Sequence, residues 1–296
     1  MLTDSGLETW LIFHRGFDLP DFASFPLLDD EHGRQVLAEY YREHLEVAAR
    51  EGVGLVLETP TWRASADWGD RLGYDAGGLD RANREAVELV RTTADDGAYG
   101  QVVVSGNLGP RGDGYAPDAL MTRDEAADYH RAQIRSLAAA GADRITLLTA
   151  THTGEAAGVV AAAAELGVPV VAAFTVETDG RLPSGQPLDE AIAEVDDATA
   201  GSALHFGINC AHPDHFADTL QAGSEALGRL GLLRANASRA SHAELDEAEE
   251  LDDGDPLELG AQYAALRVDH PNLAVLGGCC GTDVRHVQAI ARACLA

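Results

Sequence analysis

From residue 53 onward the chain alternates short β-branched runs with longer Ala-rich stretches whose apolar positions recur at helical spacing. Such alternation prescribes βα units, and consecutive βα units build a parallel sheet covered by helices. The strand runs are residues 53–58, 101–107, 144–149, 168–175, 204–209, 230–235 and 273–278, each followed by a helical stretch. Upstream, residues 30–51 read as one long helix with Leu37, Tyr40, Tyr41, His44, Val47 and Ala48 on one face. A strand should precede that helix, and residues 1–3 are what is available for it. Counting this stub gives eight strands and eight helices. No glycine fingerprint of a dinucleotide-binding sheet follows the first strand. The expected fold is therefore α/β, a single (β/α)8 TIM barrel with a shortened first strand. The stub implies either a genuinely short start or more strand encoded upstream of Met1, and the second is favoured.

Length alone, 296 residues, suggests about two domains, but parallel barrels use roughly 250 residues as one. No repeat or Pro-rich linker divides the chain, so residues 1–296 are expected to form one domain. Local signals agree with the alternation. Thr122 with Glu125 three residues on is a capping box, opening a helix that buries Ala127, Ile134, Leu137 and Ala138. The longest irregular piece, residues 236–256, is rich in Ala, Asp and Glu, and half of it reads as a short acidic helix. It falls where barrel loops carry function.

At 46% hydrophobic and 24% charged, the chain is globular in composition. Its charge is lopsided: 49 Asp and Glu against 21 basic residues, every one an Arg, give a net charge of -28. Such a field repels phosphate backbones and anionic lipid, so no nucleic-acid and no membrane partner is expected. Acidic surplus without lysine fits a protein adapted to concentrated salt, where self-repulsion is screened. No run reaches the roughly 20 apolar residues of a membrane span, and no basic-then-apolar leader opens the chain, which predicts a soluble, cytoplasmic protein.

Four cysteines, Cys210, Cys279, Cys280 and Cys294, are too few for a disulfide scaffold. Residues at the carboxyl ends of barrel strands point into a common site. Cys210 ends the sixth strand and Cys279-Cys280 end the eighth, so three sulfurs can converge. Three thiolates suit Zn2+, and a site with three protein ligands leaves one position open for chemistry. Gly277, Gly278 and Gly281 flank the pair and let the backbone bend. The plainer alternatives are packing, which is the reading for Cys294, and a strained vicinal disulfide between Cys279 and Cys280.

Gly277-Gly278-Cys279-Cys280-Gly281-Thr282, together with Gly207-Ile208-Asn209-Cys210, closely resembles the homocysteine S-methyltransferase family, zinc-dependent (β/α)8 barrels that methylate a thiol. The segment Thr3-Asp4-Ser5-Gly6-Leu7-Glu8-Thr9 is similar to the family's opening Asp-Gly-Gly segment, and Glu58-Thr59-Pro60-Thr61-Trp62 to its strand-two segment. The resemblance implies that Cys210, Cys279 and Cys280 are the zinc ligands and that Asp4 and Thr59 help to hold the amino-acid part of a thiol substrate. It implies an S-methyltransferase whose partners are a small-molecule thiol, homocysteine first, and a methyl donor. A sulfonium donor, S-methylmethionine or S-adenosylmethionine, is expected because no folate-type or cobalamin-type module is attached; a corrinoid protein acting in trans is the alternative. A reading of a different class is a non-catalytic zinc-binding or thiol-binding protein, or a redox sensor using Cys279-Cys280.

Two departures from the family pattern stand out. Ser5 replaces the first of two glycines, a small change. The family usually carries Glu-Thr at the end of strand four, where the carboxylate meets the homocysteine ammonium, whereas this chain reads Leu147-Leu148-Thr149-Ala150-Thr151-His152. Charge recognition is then expected from Glu58, Glu177 or Asp4, or the acceptor is a different thiol. Asn107, Asn236, Ser238, Ser241 and His242 also fall at strand carboxyl ends, as substrate contacts or as caps. His212 reads as a fourth ligand or as part of a helix start with Pro213 at its first position. Trp62 and Trp68 are expected to line the pocket mouth or to pack.

Overall fold

The computed structural model describes residues 1–97, 99–115, 120–221, 223–248 and 250–295. Eight strands, β1 (Leu2–Thr3), β2 (Leu55–Glu58), β3 (Val102–Leu108), β4 (Arg144–Ala150), β5 (Val170–Phe174), β6 (His205–Asn209), β7 (Leu230–Ala235) and β8 (Val275–Gly278), close into a barrel in sequence order. The longer helices between and after them are α1 (Glu31–Glu51), α2 (Ala76–Asp95), α3 (Arg123–Ala139), α4 (Thr153–Glu165), α5 (Leu188–Thr199), α6 (Pro213–Leu220), α7 (Pro256–Asp269) and α8 (Val284–Leu295). The expected α/β TIM barrel is the observed one. Several predicted strand runs begin one or two residues early, because the apolar pattern starts before the ladder does.

The short β1 nevertheless seals the barrel. Leu2 and Thr3 pair in parallel with Leu55 and Val56 of β2, while Leu2 pairs with Leu276 of β8. The Met1 amine donates to the Ala274 carbonyl (2.7 Å), and Leu276 N donates to the Met1 carbonyl (3.1 Å). Gly277 completes this seam, since a Cβ there would lie 2.6 Å from the Asp4 carbonyl oxygen and also meet the Thr3 side chain.

The helices form for the reasons their ends display. Asp30 caps α1 by accepting from Gly33 N (2.8 Å), and Gly52 ends it at φ 67°, a left-handed conformation that glycine adopts without penalty. The face holding Leu37, Tyr40, Tyr41, His44, Val47 and Ala48 is buried, as its spacing predicts. The Thr122–Glu125 capping box opens α3; Ala127, Ile134 and Leu137 are buried and Ala138 is half-buried. In the loop after β7, a short helix (His242–Asp246) carries its own Ser241–Glu244 capping box. Residue 249 of that loop lies outside the described residues.

The main core fills the space between strands and helices. Inside the barrel a small apolar cluster of Val56, Leu148, Val171, Ala173, Leu232 and Val275 is joined by buried charges. Arg234 of β7 pairs with Asp4 (2.5 Å), and Arg144 of β4 with Glu58 of β2 (3.3 Å). A guanidinium has no place in a barrel interior without a carboxylate to meet it, and each of these has one.

Candidate active site at the carboxyl end of the barrel

A cavity of about 810 Å3 opens above the barrel's carboxyl end, and Cys210, Cys279 and Cys280 line it. Cys210 follows β6 in a left-handed conformation (φ 53°), an uncommon state for a residue with a Cβ. Its backbone is held on both sides: Cys210 N donates to the Arg234 carbonyl (3.2 Å), and the Cys210 carbonyl accepts from His242 Nε2 (2.7 Å) and Thr175 Oγ1 (3.3 Å). The vicinal pair is pinned by Cys279 N donating to the Ala235 carbonyl (2.9 Å) and the Cys280 carbonyl accepting from Ala237 N (3.1 Å).

The glycines around the pair do different things. Gly281 takes φ 77° and makes the bend. Gly277 and Gly278 permit close approach instead, to β1 and to the Thr282 side chain respectively.

The three sulfurs lie within 4.8 Å of one another. Cys210 and Cys279 are joined as a disulfide, with Cα atoms 5.4 Å apart, and Cys280 Sγ is 3.9 Å from Cys210 Sγ. The vicinal disulfide considered from the sequence does not form, and Cys280 is a free thiol. Tetrahedral zinc at about 2.3 Å from each sulfur sets the sulfurs about 3.8 Å apart, so the Cys210–Cys280 spacing already fits and Cys279 needs to part from Cys210. The donor set, three convergent thiols beside an open cavity, fits Zn2+. Burial pushes the Cys280 thiol up to about 11. Cys294, on α8, packs against the main core.

Asn209, at the end of β6, reaches across to the end of β4. Its Oδ1 accepts from Thr149 N (2.8 Å), while its Nδ2 donates to Thr149 Oγ1 (2.9 Å) and lies 3.8 Å from Cys279 Sγ. Thr149, near the end of β4, takes φ 64°, and its Oγ1 is 3.9 Å from Cys210 Sγ. Tyr115 places its hydroxyl 3.9 Å from Cys280 Sγ and stacks on His242 at 4.0 Å.

The expected substrate residues separate into distinct positions. Asp4 lines the cavity, but both carboxylate oxygens are engaged, Oδ1 by Arg234 and Oδ2 by Glu58 N (3.1 Å). Glu58 also lines it; Oε1 faces Arg144, whereas Oε2 is buried and has no hydrogen-bond partner among the described residues. Burial pushes the Glu58 carboxyl above the ordinary glutamate value, with Arg144 and Arg234 pulling the other way. Thr59 lines the cavity and accepts from Asn107 N (2.9 Å), and Asn107 Oδ1 is buried without a partner among the described residues.

Glu177 is not among the described residues that line the cavity; it pairs with His242 Nδ1 (3.1 Å). His212 accepts from Asp214 N (3.2 Å) and caps α6, outside the sulfur cluster. Ser241 caps the short helix, Asn236 N donates to the Ala211 carbonyl (3.1 Å), and Ser238, Trp62 and Trp68 line the cavity. Sequence reasoning missed Arg144, Arg234 and Arg63, and quoted Asn209 only within the Gly207–Cys210 motif, without a role. The first two were detectable, because each interrupts an apolar strand with a charge.

Comparison with known proteins decides the family. The homocysteine S-methyltransferase family model matches residues 1–294. This chain belongs to the homocysteine S-methyltransferase family. Homocysteine S-methyltransferase 4 of Zea mays is 27% identical over 221 residues, which cover 72% of this chain and 61% of that protein's length. Crystal structures of the Escherichia coli homocysteine methyltransferase MmuM share the fold at 20% identity, covering 99% of this chain and 95% of theirs. The oxidized form superposes with a TM-score of 0.79 and the metallated form with 0.77. Among the described residues no helix is long and apolar enough to cross a membrane.

Proposed function

We propose that this protein transfers a methyl group from a sulfonium donor, S-methylmethionine or S-adenosylmethionine, to the thiol of homocysteine, with Zn2+ held by Cys210, Cys279 and Cys280. The observation that carries the reading is the convergence of three sulfurs from the ends of β6 and β8 on the wall of one cavity, in a chain of this family. Cys210, Cys279 and Cys280 would hold the Zn2+, which when bound would supply Lewis-acid activation of a thiol, lowering its pKa so that it is deprotonated at neutral pH. The acceptor sulfur forms its bond to the methyl carbon as the donor's carbon–sulfur bond breaks, the donor leaves as a neutral thioether, and the thiol proton passes to solvent. Alignment is then the chain's main contribution.

The chain's own residues supply that alignment. Asn209 and Thr149 tie the end of β6, which presents Cys210, to that of β4, and the Asn209 amide lies beside Cys279 Sγ. Glu58, which lines the cavity and whose buried Oε2 has no hydrogen-bond partner among the described residues, serves the acceptor's ammonium in place of the missing strand-four carboxylate. Around the cavity, eight acidic side chains face four arginines among the described residues, a field that favours a positively charged donor. The Cys210–Cys279 disulfide must be reduced before three thiolates can bind a metal.

Elemental analysis after reduction, with and without Cys280→Ala, tests the site. One zinc per wild-type chain, absent from the variant and from unreduced protein, is expected. Thioether formation from homocysteine and each donor tests the reaction, and zinc-loaded protein that forms none overturns it. The different residue at the end of β4 favours one second reading, a thiol acceptor other than homocysteine, which a profile over several thiols separates.

A further inference from the structure

Four arginines line the cavity, and three of them face a carboxylate: Arg71 pairs with Asp21, Arg111 with Asp67 and Arg234 with Asp4. Arg63 is the exception. It is 6% exposed and makes no ion pair among the described residues. Its guanidinium is clamped between two indoles, 4.0 Å from the Trp62 ring centroid and 3.6 Å from that of Trp68. Those rings are themselves tied to backbone carbonyls, Trp68 to Pro110 (3.3 Å) and Trp62 to Leu148 (3.5 Å). Nη1 donates to the Gly112 carbonyl (3.0 Å), and among the described residues the Nε and Nη2 edge meets no acceptor, Nε being fully buried.

This arrangement is unfavourable for the protein alone. Burial lowers the Arg63 pKa to about 10, with Asp113 the foremost group opposing that shift, so the side chain stays charged at neutral pH. Removing a cation from water without pairing it is strongly destabilising unless something supplies the counter-charge. Two aromatic faces satisfy the planes of the guanidinium and fix its orientation. They offer nothing to its in-plane donors. A planar fork of two N–H groups held at a cavity wall matches one common chemical group, a carboxylate, which it can take through two parallel hydrogen bonds.

We propose that Arg63 is the carboxylate receptor of this cavity, its Nε and Nη2 edge binding the α-carboxylate of an amino-acid substrate. The inference rests on the methyl-transfer reading, in which the thiol acceptor and the sulfonium donor are both amino acids. It divides the recognition of such a substrate between Arg63 for the carboxylate and the acidic wall for the ammonium or sulfonium.

The test is calorimetric binding of L-methionine and of methioninol, which keeps the amine and thioether but lacks the carboxylate, to reduced, zinc-loaded wild type, Arg63→Gln and Arg63→Lys. Wild type is expected to bind methionine about 10- to 100-fold more tightly than methioninol, the range for a charged hydrogen-bonded contact. In Arg63→Gln the ratio falls toward one. In Arg63→Lys, which keeps the charge but not the fork, it falls part of the way and serves where the glutamine variant does not fold. A wild type that does not discriminate, or variants that keep the full ratio, overturn the proposal. Steady-state kinetics then assign the source, since the KM of either homocysteine or S-methylmethionine should rise about tenfold or more in the variants. Wild-type turnover is scored separately, so that an active enzyme whose variants keep their discrimination sinks this proposal and leaves the methyl-transfer reading standing.

Discussion

Glu58 is where acceptor affinity should respond to a single charge. A substrate ammonium needs the ionised carboxylate, and burial has pushed this carboxyl upward despite Arg144 and Arg234. The KM for homocysteine should therefore rise as pH falls through that raised pKa, at a less acidic pH than an ordinary glutamate would give. Glu58→Gln keeps the shape and removes the charge. Its KM should rise about tenfold with kcat within a few-fold, and the acid limb of the pH profile should disappear. An unchanged KM would return Glu58 to a purely scaffolding role opposite Arg144. Asn209 acts differently, through residues it holds rather than through substrate. Asn209→Ala removes the acceptor for Thr149 N and the amide beside Cys279. Partners of metal ligands are worth about 10- to 100-fold in affinity, so zinc should bind that much more weakly, as read by competition with a chelating dye. Equal affinity would show that the strand ends hold their shape without it.

At the level of elements the barrel seam is the place to press. Gly277→Ala drives a methyl into Thr3 and the Asp4 carbonyl, where β1 and β8 approach too closely for any side chain. Overpacking of this kind costs about 1–3 kcal/mol, and here it also pushes on the segment that sets Cys279, so urea midpoint and zinc affinity should fall together. A variant as stable as wild type would mean that β1 contributes little to closure. The seam also shows what the sequence could express. Seven strands and the long helices were legible, because β-branched runs and 3.6-residue spacing are local properties. The remaining strand, β1, was legible only by counting, since two residues carry no period, and it forms because β2 and β8 hold out unpaired ladder groups on both sides. The sulfur triad was legible because Cys210 and Cys279-Cys280 end the sixth and eighth units of the alternation, with only β7 between them. The ionic interior was not: Arg144 and Arg234 announce a buried charge, but that Glu58 and Asp4 answer them depends on distances across the barrel. Arg63 escaped for a similar reason, because Trp68 reaches it from a separate helical turn (Ala66–Arg71).

For the molecule as a whole, the charge imbalance makes a quantitative demand. Twenty-eight excess negative charges on 11627 Å2 of accessible surface amount to one per about 400 Å2, a mean spacing of about 20 Å. The screening length is roughly 30 Å at 0.01 M salt, 10 Å at 0.1 M and 3 Å at 1 M, so repulsion between neighbours at that spacing is largely gone by a few tenths molar. Salt also weakens the surface ion pairs, such as Arg131 with Asp128 and Glu165 or Arg239 with Asp214 and Glu258. Each exposed pair is worth at most about 1 kcal/mol, and acidic residues outnumber arginines 49 to 21, so relief of repulsion wins. Melting temperature should climb steeply from about 0.01 to 0.3 M KCl on this account. A chain shaped for concentrated salt should then keep gaining, more slowly, through about 2 M, as excluded salt strengthens apolar burial. The two phases separate the causes. A plateau above about 0.3 M would mean that salt merely cancels the protein's own charge, and a flat response throughout would remove the link between its acidic surface and a saline interior.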